Sequence, residues 1–316
     1  MKRSLVARAL AIAAAASLAL TACGGGGDPL KSGSGSGGGG GSSPTIVVGS
    51  ANFTENQILA EIYAQALQAK GVNVTKKLSI GSREAYFPGL QDGSIDLIPE
   101  YTGVLLQYLN KSATETEPDA VYAALQKALP PTLTVLEKSS AEDKDAVVVT
   151  KETATKYNAT SIADLAANCG QLTFGGPPEF KTRPDGIPGL QKTYNCTFKD
   201  YKALDAGGPL TVAALKNGDV QAADIFSTDA SIVANNFVVL TDPKSNFAAQ
   251  NVVPLINKAK VNDTVTNTLN AISAKLTTEE LTNLNAEASS DTKPSPETVA
   301  KNWLSDTSKL SPLLNR

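Results

Sequence analysis

Histidine is absent from all 316 residues, and its absence removes whole classes of chemistry. A Ser-His-Asp or Cys-His hydrolase needs an imidazole base, and most catalytic zinc sites use imidazole ligands. No G-x-S-x-G elbow, Walker loop or dinucleotide fingerprint compensates for it. Gly175-Gly176 and Gly207-Gly208 are isolated pairs, and the glycine run near the N-terminus opens onto no strand–helix phosphate site. Carboxylates are plentiful, but none stands out as a catalytic pair. An enzyme, a metal centre and a cofactor are therefore not expected. Excess positive charge is missing too. With 28 Lys and Arg against 31 Asp and Glu and no basic run, neither nucleic acid nor a polybasic membrane contact is expected.

Long apolar runs are also scarce, and the one that exists lies at the N-terminus. Lys2, Arg3 and Arg8 form a positive region, Ala9 to Leu20 is apolar, and small residues follow, so residues 1–22 read as a signal peptide. The run is too short and wrongly flanked for a good membrane span. Leu20-Thr-Ala-Cys23 resembles a bacterial lipobox, which implies that Cys23 becomes the lipidated N-terminus; the alternative is a signal that merely contains a cysteine. Removing residues 1–22 moves the formal charge from −3 to −6, because three basic and no acidic residues leave. Residues 24–44 hold 11 glycines in 21 positions and read as a flexible tether reaching roughly 25 Å. The expected location is outside the cell, lipid-anchored to the outer face of the cytoplasmic membrane.

Only two further cysteines occur, Cys169 and Cys196. In an exported chain such a pair is expected to form a disulfide rather than a metal or redox site. It would close a loop of roughly thirty residues, worth about 3 kcal/mol on the chain-entropy estimate.

The richest stretch is Ile80 to Leu109. Ser82 can cap a short helix through Leu90, Gly93 ends it, and Ile95 to Ile98 is an apolar run of buried-strand type. Pro99 to Gly103 then turns the chain into a helix from Val104 to Leu109. Tyr101 is placed at a strand's carboxyl end, where open α/β sheets hold ligands. The pattern recurs. Leu90-Gln-Asp-Gly93 precedes Tyr101 as Leu215-Lys-Asn-Gly218 precedes Phe226, at the same distance in each case. Two similar α/β lobes are expected, each offering an aromatic at a strand end.

Elsewhere Ile46 to Gly49 reads as a strand, and Thr54-Glu-Asn-Gln57 as a capping box for a helix with one apolar face up to Gly71. Strands are expected at Val72 to Leu78, Thr132 to Leu136, Ala146 to Thr150, Ala222 to Phe226, Val238 to Leu240 and Val252 to Ile256, the last able to return the chain to the first lobe. Ser139 to Lys144 is a polar crossing between lobes. A Gly/Pro-rich loop follows the strand at Leu172 and runs through Arg183-Pro-Asp-Gly186. The tail is helical, with Trp303 as a packing residue. The expected organisation is a first lobe of residues 45–143 plus 257–316 and a second of residues 144–256.

Anchor, tether and two lobes fit a binding protein that closes around a small solute. The residues also carry a family resemblance. Val48-Gly-Ser-Ala-Asn-Phe-Thr-Glu, Ile95-Asp-Leu-Ile-Pro-Glu-Tyr-Thr-Gly, Arg183-Pro-Asp-Gly and Phe226-Ser-Thr-Asp resemble the ProX/OpuC-type proteins, which bind glycine betaine, choline or carnitine for osmoprotectant ABC importers. The likeness spans nearly all of residues 45–306. It implies the two-lobed type II periplasmic-binding fold with a cleft between the lobes, and a permease and ATPase as partners of a monomer.

The family holds a quaternary ammonium in a box of tyrosines, each aromatic face contributing about 0.5–2 kcal/mol, and a carboxylate with a lysine and an arginine. Tyr101 matches one box tyrosine and Arg183 the arginine. Phe226 stands at another tyrosine position, keeping the face and losing the hydroxyl. Asp145 and Gln250 replace two more tyrosines, Ala51 replaces the lysine, and Val104 a threonine. These seven are the candidate ligand residues. For Arg183 the alternative is a loop ion pair with Asp185 or Glu179; for Tyr101 and Phe226 it is core packing; for Asp145 it is a solvated hinge beside Glu142, Asp143 and Lys144. The substitutions predict weak glycine betaine binding and a solute that is larger or forms more hydrogen bonds, stacked between Tyr101 and Phe226. The competing reading is a solute-binding sensor module signalling to a membrane partner.

Overall fold

The computed structural model describes residues 45–306; the expected signal peptide, Cys23, the tether and residues 307–316 lie outside that range. Strands are named in chain order: β1 (Ile46–Gly49), β2 (Val74–Lys77), β3 (Leu97–Tyr101), β4 (Leu133–Val135), β5 (Val147–Val149), β6 (Thr173–Gly176), β7 (Asp200–Ala203), β8 (Ala222–Asp224), β9 (Val238–Val239) and β10 (Val252–Asn257). They form two sheets, β2-β1-β3-β10-β4 and β7-β6-β8-β5-β9. In each sheet the first three strands are parallel and the fourth runs antiparallel to both neighbours. That fourth strand is the one reached by crossing from the other sheet: β5 after the outward crossing, β10 after the return.

The placement of β10 corrects the expected limit of the second lobe at residue 256. Val252 to Ile256 pairs with Tyr101 to Leu97, so the chain is back in the first sheet before Val252. An apolar run states that a strand is buried, not which sheet buries it. The two crossings run side by side. Asp143 donates its N–H to the Gln250 carbonyl (3.2 Å) and Val252 its N–H to the Ala141 carbonyl (3.0 Å).

The turn expected at Pro99 is instead the end of β3, which continues to Tyr101, with the next helix starting at Thr102. Pro254 faces Pro99 across the β3–β10 pair. Two residues without N–H groups sit opposite one another, a position that must be of the non-hydrogen-bonded kind, so the ladder between these strands loses nothing. The expected capping box at Thr54 is also replaced: Phe53 is the N-cap and no side chain caps the helix Thr54–Ala69. Its first-turn polar side chains serve other partners, described below. The repeated helix stops do form, with Gly93 and Gly218 both left-handed at φ 79° and 77°.

Apolar side chains pack on both faces of each sheet, giving four contiguous clusters. Helix Pro296–Ser305 lies on helix Thr54–Ala69 in the first lobe and buries Trp303, whose indole N–H donates to Glu280 at 2.7 Å. In the second lobe Cys169 and Cys196 are joined, with Cα atoms 5.4 Å apart, inside the cluster around Phe174. Among the described residues no helix is long and apolar enough to cross a membrane.

Candidate functional site

The carboxyl ends of β1, β3, β6 and β8 point at one cavity of about 50 Å³ between the sheets. All seven candidate ligand residues line it: Ala51, Tyr101 and Val104 from the first lobe, Asp145 and Gln250 from the crossings, Arg183 and Phe226 from the second lobe. A larger cavity of about 520 Å³ adjoins it and shares Asn52, Phe53, Ala206 and Phe226 as walls.

Local chemistry explains how the walls are held. Asn56 accepts from the Ala51 N–H (2.7 Å) and donates to the Pro99 carbonyl (3.0 Å), fixing the loop after β1 to β3. Gln250 turns its Oε1 to the Val104 N–H (2.9 Å) and so satisfies a first-turn donor of helix Thr102–Leu109. Its amide NH2 is what remains for the cavity. Gly103 permits this approach, since a Cβ there would lie 2.6 Å from the Ala249 carbonyl oxygen.

The expected stacking slot between Tyr101 and Phe226 holds a third ring. Phe53 lies 6.0 Å from Tyr101 and 5.0 Å from Phe226, centroid to centroid. The aromatic wall is therefore Tyr101–Phe53–Phe226, contributed by both lobes. Phe53 sits within the Gly-Ser-Ala-Asn-Phe-Thr-Glu stretch, but its ring was not singled out in the sequence.

Arg183 pairs with neither Asp185 nor Glu179. Its Nε and Nη2 each reach Glu84 of the other lobe at 3.2 Å. Burial would raise the Glu84 carboxyl, but the hydrogen bonds and charge of Arg183 outweigh it and bring the group down to about 2. Glu84 thus holds the guanidinium fork that the resemblance reserves for a solute carboxylate. Within the first-lobe wall, Arg83 makes a two-pronged bond to Glu100 (2.8 and 2.7 Å), and Glu100 also accepts from the Tyr86 hydroxyl (2.7 Å) and the Tyr101 N–H (3.0 Å). This buried network was not read from the sequence.

Another unread network bridges the lobes. Glu55 accepts from the Tyr101 hydroxyl (2.8 Å), the Thr228 hydroxyl (2.6 Å) and the Asn285 amide (2.6 Å). Thr228 and Ser227 also bond to Asp143 in the crossing, at 3.1 and 3.2 Å. Burial first, and then the charge of Glu55, push the Asp143 carboxyl well above its usual range. Asp145, beside it, makes no ion pair among the described residues.

Two α/β lobes closing over an aromatic and charged cavity at strand ends define a solute-binding protein of the periplasmic-binding class. The model for the substrate binding domain of ABC-type glycine betaine transport systems matches residues 44–306, and the chain belongs to that family. It is 29% identical over 226 residues to a glycine-betaine-binding protein of Pseudomonas aeruginosa, covering 68% of this chain and 72% of that one. It is 28% identical over 271 residues to the carnitine transport binding protein OpuCC of Listeria monocytogenes, covering 83% and 87%. The crystal structure of a glycine betaine/carnitine/choline ABC transporter superposes with a TM-score of 0.67 at 24% identity, covering 84% of this chain and 99% of that one. The chain is a substrate-binding protein of the glycine betaine/carnitine type, a family that binds small solutes and works with an ABC permease.

Proposed function

We propose that the protein is a lipid-anchored receptor, held by Cys23 on the outer face of the cytoplasmic membrane, which captures a solute between its lobes and delivers it to a permease and ATPase. It acts as a monomer and catalyses nothing. The observation that carries this reading is the shared aromatic wall: Tyr101 and Phe53 from one lobe meet Phe226 from the other, so a ligand there touches both lobes and favours their closure. The ligand residues are Tyr101, Phe226, Arg183, Asp145 and Gln250, with Ala51 and Val104 leaving space.

The solute differs from glycine betaine. Asp145 and Gln250 offer hydrogen bonds where aromatic faces would hold a methylated ammonium, and two lost faces weaken betaine by about 1–4 kcal/mol, roughly one to three decades. The adjoining cavity of about 520 Å³ leaves room for a larger molecule. A thermal-shift screen over betaines, choline, carnitine, amines, amino acids and sugars tests the receptor reading; ligand at a hundredfold its Kd should stabilise by about 2.7 kcal/mol. Micromolar glycine betaine binding in titration calorimetry, abolished by Tyr101→Ala, would overturn the reading of the substitutions. No stabilisation by any solute would overturn the receptor role.

A further inference from the structure

Two cations stand on the wall of the cavity, Arg83 and Arg183, and each is held by a carboxylate of the chain itself. Arg83 and its partner Glu100 belong to one lobe, whereas Glu84 reaches Arg183 across the cleft. Arg183 Nε donates to Glu84 Oε1 and Nη2 to Oε2, both at 3.2 Å. That paired geometry is how a guanidinium recognises any carboxylate, a solute's included. Glu84 is also positioned from its own side. It lies in the first turn of helix Arg83–Asp92, whose N-cap residue Ser82 caps no backbone N–H with its side chain. The Ser82 hydroxyl instead donates to Glu84 Oε2 at 2.6 Å. Arg83, one residue earlier, is buried and bound to Glu100, which anchors the same turn. Burial raises the Glu84 carboxyl, yet its bonds to Arg183 and Ser82 bring it to about 2, so it is ionised at neutral pH. With Ala51 where the resemblance places a lysine, no cation on this wall is left uncommitted. The next cation, Lys293, lines only the adjoining cavity.

We infer that Glu84 is a specificity-determining residue, filling the Arg183 fork as a resident stand-in for a solute carboxylate. The cavity then takes solutes that carry no carboxylate, either organic cations or neutral hydrogen-bonding molecules. The inference rests on the receptor reading and narrows its substrate class. A solute carboxylate must displace Glu84 and then lie beside the negative charge it displaced. The resident group is tethered, so its effective concentration at the fork exceeds that of a dilute solute. Like-charge proximity adds to the bias. A solute without a carboxylate leaves the pair intact, and the pair then clasps the two lobes around it. Arg183 still has further N–H groups, whose hydrogen bonds a hydroxyl or carbonyl oxygen of such a solute can accept. At a partly exposed rim the pair contributes little to stability, so its removal changes selectivity without unfolding the chain.

Two measurements on the full folded chain test this. The first needs no known solute: acetate, a bare carboxylate, is titrated while the arginine side-chain N–H signals are followed by NMR. In Glu84→Ala the Arg183 Nε–H signal should shift saturably, at an acetate concentration about tenfold or more below that needed in the wild type. Glu84→Gln, which keeps the size and loses the charge, serves as the second variant should Glu84→Ala fail to fold. An equal response in wild type and variant, or no response in either, overturns the inference. The second is titration calorimetry with choline and glycine betaine, which share a trimethylammonium head and differ in the carboxylate. The ratio of the glycine betaine to the choline Kd should fall about tenfold or more on Glu84→Ala, through tighter betaine binding. An unchanged ratio would make Glu84 at most a clasp for closure and overturn the inference, leaving the receptor reading standing. No binding by any solute class in the screen overturns the receptor reading instead, while the acetate titration still decides Glu84.

Discussion

Both lobes bury charge at the cleft, and they do so in opposite ways. In the first lobe Glu100 is fully buried and receives four hydrogen bonds, two from Arg83, one from Tyr86 and one from the Tyr101 N–H. Burial works against the Arg83 charge, but Glu100 holds its proton more firmly still. In the second lobe Asp224 is as fully buried, yet neither of its oxygens, nor Asp185 Oδ2, accepts from a donor of the described residues. A buried ion with every lone pair filled has nothing left to offer a ligand and acts as scaffold. A buried group left unfilled keeps its hydrogen-bonding capacity, at a desolvation cost to the fold. The first lobe's buried charge is satisfied in place, and the second lobe's is not.

The contrast breaks most readily at Arg83. Arg83→Ala strands Glu100 without a counter-ion and should destabilise the chain by about 3–5 kcal/mol in urea unfolding. Adding Glu100→Gln should recover much of that loss. A single-variant loss below about 1 kcal/mol would show that the network is not scaffold. Second in size is the second lobe's own brace. Cys169→Ser should lower stability by about 2–4 kcal/mol without abolishing solute binding, and thiols reactive in the unreduced native protein would contradict the bridge.

Asp185 sharpens the other side of the comparison. Burial and the charge of Asp145 raise its carboxyl to about 7. Because the folded state binds the proton more tightly than the unfolded chain does, this group's stabilising contribution is complete below about pH 4 and lost as pH rises through about 7. Asp185→Asn should therefore raise the Tm at pH 8 by clearly more than at pH 4.5, a direction that thermal melts at the two pH values read directly. Glu84→Gln should have the smallest effect, about 0–1 kcal/mol and weaker in high salt, because its pair with Arg183 sits at a partly exposed rim. The Glu84 carboxyl is depressed, so its contribution persists down to acid pH and disappears as pH falls through about 2.

The elements that the sequence announced were those with local signals. The helix stops at Gly93 and Gly218 and the aromatics at two strand ends follow from nearest-neighbour chemistry. Helix Lys151–Tyr157 was invisible because it buries no residue and so has no apolar period, and β7 because its Asp-Tyr-Lys-Ala edge is mostly exposed. The strand through Pro99 needed knowledge of Pro254, more than a hundred and fifty residues away. Of the seven candidate residues in the cavity, Tyr101 and Phe226 were marked by the repeated helix–glycine–strand pattern and the other five by motif resemblance alone, which carries position but not partners. Glu84 in the fork of Arg183 and Phe53 in the stacking slot are contacts between distant stretches, and no local pattern encodes them.

The acceptor at Glu55 has a kinetic meaning. Of its three donors, Tyr101 and Asn285 belong to the same lobe as Glu55, and only Thr228 crosses the cleft. When the lobes part, two hydrogen bonds remain to hold the carboxylate in the position that Thr228 left. Re-engagement then requires no search through side-chain rotamers, so the closing rate is set by the swing of the lobes. Departure must break the short 2.6 Å bond together with the Asp143 contacts. Glu55→Ala should therefore shorten the dwell time of the closed form far more than it slows closing, an asymmetry that single-molecule fluorescence across the lobes resolves.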